Sequence, residues 1–258
     1  MQQPKQKIFA IANQKGGVGK TTTTLNLAAA IAEAGFKVLV MDLDPQGNAS
    51  TGLGSHADAR AFTTYDVLIG TQVEPRFIQK TDIENIDLVP STTDLSSADI
   101  ELASAKNRSE MLRKVLSNSD LSKYDYILLD CPPSLNVLTV NALIAAHALI
   151  IPLQSEFFAL EGLSQLLMSV REVRDLGNPD LRIEGVVLTM YDARNRLSLQ
   201  VEEDARENLG ELIFKTVIPR NVRISEAPSF AMPVLSYDSR SKGAEAYRAL
   251  AQEILARR

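Results

Sequence analysis

The sequence contains few or none of several residue types that mark particular classes of protein. Its 258 residues include one cysteine, two histidines and no tryptophan. Cys131 cannot form an intramolecular disulfide, and together with His56 and His147 it does not make up the ligand set of a zinc site. A disulfide-stabilised secreted domain and a zinc-binding domain are therefore excluded, and a cytoplasmic protein is favoured.

Long apolar runs and an excess of basic residues are also absent. The longest apolar run, 142–153, is interrupted by His147 and is shorter than the roughly 20 residues that span a bilayer. The polar start, 1–7, predicts no secretory signal. A net charge of −5, from 27 Lys and Arg against 32 Asp and Glu, excludes a surface that is basic all over. Any contact with nucleic acid must be local.

Short apolar segments alternate with helical patterns along a chain of ordinary globular composition, 45% hydrophobic and 23% charged. The predicted strands are 8–12, 38–41, 86–89, 126–129, 148–153 and 186–189. The predicted helices are 21–35, 135–146, 160–176 and 197–209. This alternation predicts one α/β domain over 1–258, a mostly parallel twisted sheet flanked by helices on both faces.

Two segments do not fit the alternation. The segment 52–64 is the least patterned and is expected to hold surface loops. The segment 214–238 contains Pro219, Pro228 and Pro233 and has no long periodicity. Because long irregular segments in compact domains are usually functional, we expect an ordered crossing over a site here.

A glycine-rich loop, 13–22, follows the first predicted strand and precedes a helix. The backbone N–H groups of such a loop point at phosphate oxygens, and the helix N-terminus adds the positive end of its dipole. The predicted phosphate cradle consists of Lys15, Gly16, Gly17, Val18, Gly19, Lys20, Thr21 and Thr22. In this interpretation Lys20 reaches the β- and γ-phosphates, Thr21 binds Mg²⁺ and Thr22 donates to the α-phosphate.

This loop departs from the usual phosphate-loop pattern, because Gln14 stands where that pattern has glycine and Lys15 is added. Lys15 is poorly placed to fold back on its own nucleotide, but it could reach across a two-fold axis to the phosphates of a partner subunit. The sequence thus predicts a dimer that encloses two nucleotides, with Lys15 and Gly16 at the interface. The alternative is an ordinary glycine-rich turn with a solvated Lys15.

Two further predicted strands end in carboxylates. Asp42 and Asp44 follow 38–41, and Asp130 follows 126–129. The carboxyl ends of parallel strands meet at one edge of a sheet, so these acids should converge on the phosphate loop. We expect Asp130 at the Mg²⁺, Asp42 in the metal shell or supporting the loop, and Asp44 orienting the attacking water. A strand-ending turn with a helix N-cap is the alternative for Asp42 and Asp44.

These motifs and several downstream segments resemble the ParA/MinD family of deviant Walker A ATPases, P-loop NTPases, and most of all the short chromosomal ParA (Soj) type. The matching segments are 15–22, 42–48, 130–134, 156–163, 188–194 and 218–229. The resemblance implies an ATPase with catalytic Lys15, Lys20 and Asp44 that uses ATP and Mg²⁺ and dimerises on binding ATP. It also implies non-specific binding to double-stranded DNA, a ParB-type centromere-binding partner, and partitioning of a chromosome or plasmid at the nucleoid.

Two basic segments could provide local DNA contacts. The candidates are Arg194, Arg196, Lys215, Arg220 and Arg223. No base-reading motif accompanies them, so the expected binding is non-specific and strongly salt dependent. The alternative is that these side chains are solvated or pair with Asp192 and Glu226. The resemblance implies Arg223 as the first DNA contact and Arg194 as the second.

The irregular segment 214–238 should also close over the base of the nucleotide. Pro219 and Asn221, together with Asp192, are therefore candidates for the border of the adenine pocket. 

Two other functions remain open at this point: a MinD-like membrane-associated positioning ATPase, and an ATP-switched regulator or scaffold for another cargo. The last predicted helix, about 243–257, bears on the first of these. Its apolar stripe consists of Tyr247, Leu250, Ala251, Ile254 and Leu255. Acidic and basic residues accompany the stripe, which favours a helix docked on the core and no membrane contact.

Overall fold

A computed structural model describes residues 6–103, 108–156 and 159–257. Its centre is a seven-stranded sheet in the order β3-β4-β2-β5-β1-β6-β7. The strands are β1 (Lys7–Ile11), β2 (Val38–Asp42), β3 (Gln79–Lys80), β4 (Ile86–Val89), β5 (Tyr126–Asp130), β6 (Ala148–Gln154) and β7 (Arg182–Thr189). Within the described ranges the strands pair in parallel, except that the short edge strand β3 runs antiparallel to β4. The predicted mostly parallel sheet is confirmed.

Helices cover both faces of this sheet. They are α1 (Lys20–Glu33), α2 (Asn48–Gly52), α3 (Thr64–Ile69), α4 (Leu95–Ala103), α5 (Met111–Ser117), α6 (Val137–Ala145), α7 (Ala159–Leu176), α8 (Arg196–Leu209), α9 (Val222–Glu226), α10 (Val234–Tyr237) and α11 (Lys242–Ala256). One apolar cluster packs α1, α10 and α11 on one face, and a second packs α3 to α8 on the other. Every residue of β2 and β5 is consequently buried, which explains their continuous apolar sequences.

The predicted elements are confirmed to within two residues at each end, except that β7 begins at Arg182 and not at 186. The first three residues of β7 are not buried, so the apolar signal starts late. Helices α2 to α5, α9 and α10 were not predicted. Helix α3 is short and begins with a capping box, in which Thr63 accepts from the N–H of Tyr65 and Asp66 accepts from that of Thr63.

Both irregular segments have more structure than a plain loop. The prediction that 52–64 holds surface loops fits the exposed residues 56–59. The rest of the segment departs from it, because Leu53, Ser55, Arg60, Thr63 and Thr64 are buried. The prediction of an ordered irregular crossing for 214–238 is confirmed, because α9, a 3₁₀ helix over Ala227–Phe230 and α10 lie within it.

Helix α11 packs against α1 through the predicted apolar stripe. Its Tyr247, Leu250, Ala251 and Ile254 are buried in the cluster that contains α1. The prediction of a helix docked on the core is therefore confirmed. Among the residues that the structure describes, no helix combines the length and apolar character needed to cross a membrane.

Candidate active site

The phosphate loop leaves the carboxyl end of β1, between β5 and β6, and enters α1. Gly17 and Gly19 have φ angles of +74° and +86°, which glycine adopts without the steric cost of a side chain. Val18 between them is buried, and its carbonyl accepts a 2.9 Å hydrogen bond from the hydroxyl of Thr189 at the end of β7. The sheet thus holds the loop in a fixed curl.

The N-terminus of α1 and Lys20 form the positive part of the site. Gly19 occupies the N-cap, so no side chain there accepts a hydrogen bond from the N–H groups of the first helical turn. Lys20 is 6% exposed, and its Nζ donates to the carbonyl of Lys15 at 2.9 Å. Burial lowers the pKa of Lys20, and the charge of Asp130 opposes that shift. A buried ammonium beside an uncapped helix N-terminus fits a phosphate group.

Asp130 joins this positive group to the carboxylates. It is fully buried at the end of β5 and accepts hydrogen bonds of 2.8 Å from the hydroxyls of Thr21 and Thr24. Burial and the nearby charge of Asp42 raise the pKa of Asp130. A hydroxyl and a carboxylate oxygen are the ligands that Mg²⁺ prefers, and a cation there would favour the ionised acid. Thr21 and Asp130 therefore lie together as a metal site requires.

Asp42 lies beside Asp130 in register, at the end of β2, and is also fully buried. Its carboxylate accepts from the N–H of Asp44 at 3.1 Å and from the N–H and hydroxyl of Ser50 at 2.8 and 2.7 Å. Burial raises the pKa of Asp42 despite these bonds. Of the two roles left open for Asp42, this geometry matches support of the loop, and contact with a metal stays a prediction.

Asp44 begins the turn that connects β2 to α2. It is 7% exposed, its Oδ1 accepts from the N–H of Gln46 at 2.9 Å, and its carbonyl accepts from that of Gly47 at 2.9 Å. The alternative interpretation of a strand-ending turn is thus partly realised. The helix N-cap that this alternative also expected is not formed by Asp42 or Asp44, because Gly47 is the N-cap of α2. A carboxylate whose position is fixed by backbone N–H donors can orient a water molecule.

A cavity of 670 Å³ opens beside the phosphate loop. Gly19 and Thr22 line one side, and the predicted Pro219, Asn221 and Asp192 line the other. The volume lies within the usual range for small-molecule sites. The structure therefore brings the residues predicted at the base to the phosphate loop.

The predicted interface residues lie on the exposed side of the loop. The Lys15 ammonium forms an ion pair of 2.6 Å with Glu156, and the two side chains are 42% and 48% exposed. Gly16 is exposed, and a Cβ built on it would meet only Pro133, at 3.9 Å.

Two of the candidate DNA contacts are paired with acids, as the alternative interpretation expected. Arg194 pairs with Asp192 at 2.9 Å, and Arg223 pairs with Glu226 at 2.9 Å and with Asp238 at 3.2 Å. These side chains remain at the surface. The pairs are consequently of the solvent-exposed kind that contributes little to stability.

The two basic loops are neighbours. Tyr191 and Pro219 form a backbone bridge, and the N–H of Arg220 donates to the carbonyl of Tyr191 at 2.9 Å. Arg196 and Arg220 are exposed in this region. Lys215 is exposed as well, but it lies further along the edge of the sheet, where its N–H donates to Glu253.

Several residues of the site had no individual prediction. Thr24 holds Asp130, but a run of four threonines does not reveal which hydroxyl turns inward. Tyr247 lines the cavity, although its spacing in α11 marked it only as core. Glu156 belonged to a family motif without a role of its own, and its neighbours Phe157 and Phe158 lie outside the described residues.

Comparison with known proteins identifies the family. A family model described as an AAA domain matches residues 6–183. The chromosome partitioning protein ParA of Caulobacter vibrioides is 53% identical over 252 residues, which cover 97% of this chain and 94% of that protein. The chromosome-partitioning ATPase Soj of Thermus thermophilus is 48% identical over 257 residues, which cover 100% and 98%.

A solved structure gives the same result for the fold. Cobyrinic acid a,c-diamide synthase from Mycobacterium smegmatis, with bound ATP analog and magnesium, matches with a TM-score of 0.84 and 38% identity, covering 97% of this chain and 95% of that one. The chain therefore belongs to the ParA/Soj family of chromosome-partitioning ATPases, within the wider ParA/MinD group that its motifs predict.

Proposed function

We propose that this protein is a Mg²⁺-dependent ATPase whose ATP-bound form dimerises, binds DNA without sequence preference and partitions a chromosome or plasmid on the nucleoid together with a ParB-type partner. The observation that carries the proposal is the buried Lys20 at the uncapped start of α1, next to the Thr21–Asp130 pair. Co-sedimentation with DNA in the presence of ATP, of ADP and of no nucleotide tests it.

The residues of the site divide the work of hydrolysis. Bound ATP supplies the phosphoryl group, and Mg²⁺ neutralises charge on its phosphates. Lys20 and the first N–H groups of α1 hold the phosphates, and Thr21 and Asp130 offer oxygen ligands to the metal. Asp44 orients the water, while Asp42 fixes the turn that carries Asp44. Because such catalysis is mainly positioning and charge neutralisation, we expect a slow basal rate that a partner raises.

Gly16 supports the close approach of a second subunit. It is not among the glycines with positive φ, and its Cβ position is open within its own chain. Neither the backbone nor the packing of this chain therefore requires glycine there. The neighbouring pair of Lys15 with Glu156 is half exposed and contributes about 0–1 kcal/mol, so Lys15 can exchange Glu156 for a partner's phosphates at little cost.

Lys15→Ala is expected to bind ATP as the wild type does but to lose the ATP-dependent dimer and most of the turnover. The reason is that Lys15 contributes to the partner's site and Lys20 to its own. Analytical ultracentrifugation with ATP measures the dimer, and a fluorescent ATP analogue measures binding. Lys114→Ala, which removes an exposed lysine of α5, is the matched control. A stable ATP-bound dimer of the Lys15 variant would remove Lys15 from this role.

The adjoining basic loops support local DNA binding by a chain of negative net charge. The backbone bridge between Tyr191 and Pro219 makes the surfaces near Arg194 and Arg220 one patch. Dimerisation would double this patch, so affinity for DNA would depend on ATP. The exposed pairs of Arg194 and Arg223 with acids are weak enough to be exchanged for DNA phosphates.

Arg223→Glu should weaken DNA binding by about tenfold or more while the ATP-dependent dimer persists. Two phosphate contacts per dimer would be lost, so the slope of log K against log salt should shrink by about 2. Titration of labelled DNA at several salt concentrations measures both quantities. The control is Arg182→Glu, which makes the same charge change at the start of β7, the end of that strand away from the basic loops. Undiminished DNA affinity in a dimeric Arg223 variant would mean that the contact surface lies elsewhere.

The membrane-associated alternative has no comparable support, because the apolar stripe of α11 is used in packing against α1. Vesicle binding by the purified chain would nevertheless favour that alternative over the DNA-based function.

A further inference from the structure

Arg60 is a buried arginine in a segment without regular secondary structure. Arg60 is 9% exposed and directly follows a short 3₁₀ helix, Ala57–Ala59. Charged side chains are rarely buried without an opposite charge. In the part of the chain that the structure describes, however, no carboxylate lies within 4.0 Å of the guanidinium. Such a placement calls for an explanation from the groups that the guanidinium contacts.

The guanidinium binds two separate segments. Its Nη1 donates to the carbonyl of Ser91 at 2.8 Å, beyond the end of β4, and its Nη2 donates to the hydroxyl of Thr51 in α2 at 2.8 Å. Nε and Nη2 both donate to the carbonyl of Ser55, at 3.1 and 2.5 Å. These contacts use the planar fork that distinguishes arginine from lysine. Arg60 therefore cross-links the surroundings of the turn between β2 and α2.

One route from Arg60 to the turn passes through Gly47. Gly47 has φ +64°, and a Cβ built on it would overlap Nη1 of Arg60, so the guanidinium lies directly against this backbone. The hydroxyl of Thr51, which accepts from Arg60, donates to the carbonyl of Gly47 at 3.1 Å. The N–H of Gly47 in turn donates to the carbonyl of Asp44 at 2.9 Å. The guanidinium thus backs the turn that begins at Asp44.

A second route passes through Ser91. Arg60 fixes the carbonyl of Ser91, whose N–H donates to the hydroxyl of Ser50 at 2.9 Å. That hydroxyl donates to Asp42 at 2.7 Å, and Asp42 accepts the N–H of Asp44 at 3.1 Å. Both ends of the Asp44 turn are consequently tied to one side chain.

We propose that Arg60 is a positioning residue for Asp44. It acts through Gly47, Thr51 and Ser91. This inference rests on the proposed function, in which Asp44 orients the attacking water. A displacement of about 1 Å at a catalytic group can cost about 100-fold in rate, so loss of the arginine fork should lower kcat and leave KM nearly unchanged.

Two variants test this role with different disturbance of the fold. Arg60→Lys keeps the charge and loses the fork, and Thr51→Val removes only the hydroxyl between Arg60 and Gly47. Single-turnover ATP hydrolysis, ATP affinity and Tm are measured for each. We expect kcat to fall by about tenfold or more for Arg60→Lys, and by less for Thr51→Val, with unchanged ATP affinity. Because both act on one network, the double variant should be barely slower than Arg60→Lys.

Chemical rescue separates positioning from general stability. Guanidinium ion at millimolar concentration should restore part of the kcat of Arg60→Ala, while the same concentration of sodium chloride should not. Arg113→Lys is the matched control, because Arg113 also uses its fork, on Glu110 and the carbonyl of Gly177, far from the turn. Its kcat should be that of the wild type even if Tm falls.

Normal kcat in folded Arg60→Lys and Thr51→Val would overturn the inference, as would a loss of ATP affinity in proportion to Tm. If the Arg60 variants do not fold, Thr51→Val decides the question alone. Wild type and Asp44→Ala are assayed in parallel. A wild type without ATPase activity refutes the proposed function itself, whereas an active wild type, an inactive Asp44→Ala and a normal Arg60→Lys refute only the role of Arg60.

Discussion

Replacing Asp44 with alanine should leave a protein that binds ATP, forms the dimer and stays on DNA but no longer turns over. Asp44 lies just after the end of β2 and is buried, on a turn fixed by the carboxylate of Asp42. The groups that we propose bind the phosphates belong to another element, because Lys20 and the uncapped N–H groups are in α1. Removing a group that orients or activates the attacking water should reduce kcat by about 10²–10⁴-fold.

Phosphate release measures this loss, and a fluorescent ATP analogue shows whether binding persists. Asp58→Ala, an exposed aspartate of the short 3₁₀ helix after α2, is the matched control and should behave as the wild type. Wild-type turnover by the Asp44 variant would assign the orientation of the water to another residue.

Lys20→Ala should strongly weaken ATP binding, and with it the dimer and the DNA-bound state. The ammonium of Lys20 is buried, so a cation from solvent does not easily take its place. In the proposed complex the ammonium pairs with ATP phosphates, and truncating one partner of such a buried charge pair costs about 2–5 kcal/mol, a loss of affinity of about 30- to 4,000-fold.

Calorimetry with ATP and Mg²⁺ measures the affinity of the Lys20 variant, and its Tm without nucleotide shows whether the fold is retained. Lys37→Ala, at the opposite end of β2 from the site, serves as the control. Undiminished ATP affinity in the folded Lys20 variant would be incompatible with its assignment to the phosphates.

The sheet was predictable because its central strands are buried on both faces. In β2 and β5 every residue is buried, and all but the terminal Asp42 and Asp130 are hydrophobic, so the strands read as nearly continuous apolar segments. The start of β7 was not predictable, because Arg182 is exposed and only the later residues of the strand are buried. The short edge strand β3 has two residues, too few for any periodic signal.

The candidate site was predictable where its chemistry is local in sequence. The phosphate loop and the acids after β2 and β5 each carry their own pattern, and strand topology brings them to one edge. Contacts across long sequence separations carry no such pattern. Lys15 meets Glu156 over 141 positions, and Arg60 reaches Ser91 over 31, so these partners emerge only from the fold.

An ATP-dependent partitioning switch is tested most directly by co-sedimentation of the wild type and Asp44→Ala with unrelated DNA sequences, with ATP, with ADP and without nucleotide, at about 50 and 200 mM salt. We expect binding that requires ATP, is equal for all sequences, falls steeply with salt and persists longest in Asp44→Ala. DNA binding that is absent in every nucleotide state, or equal in all of them, would contradict an ATP-dependent partitioning switch.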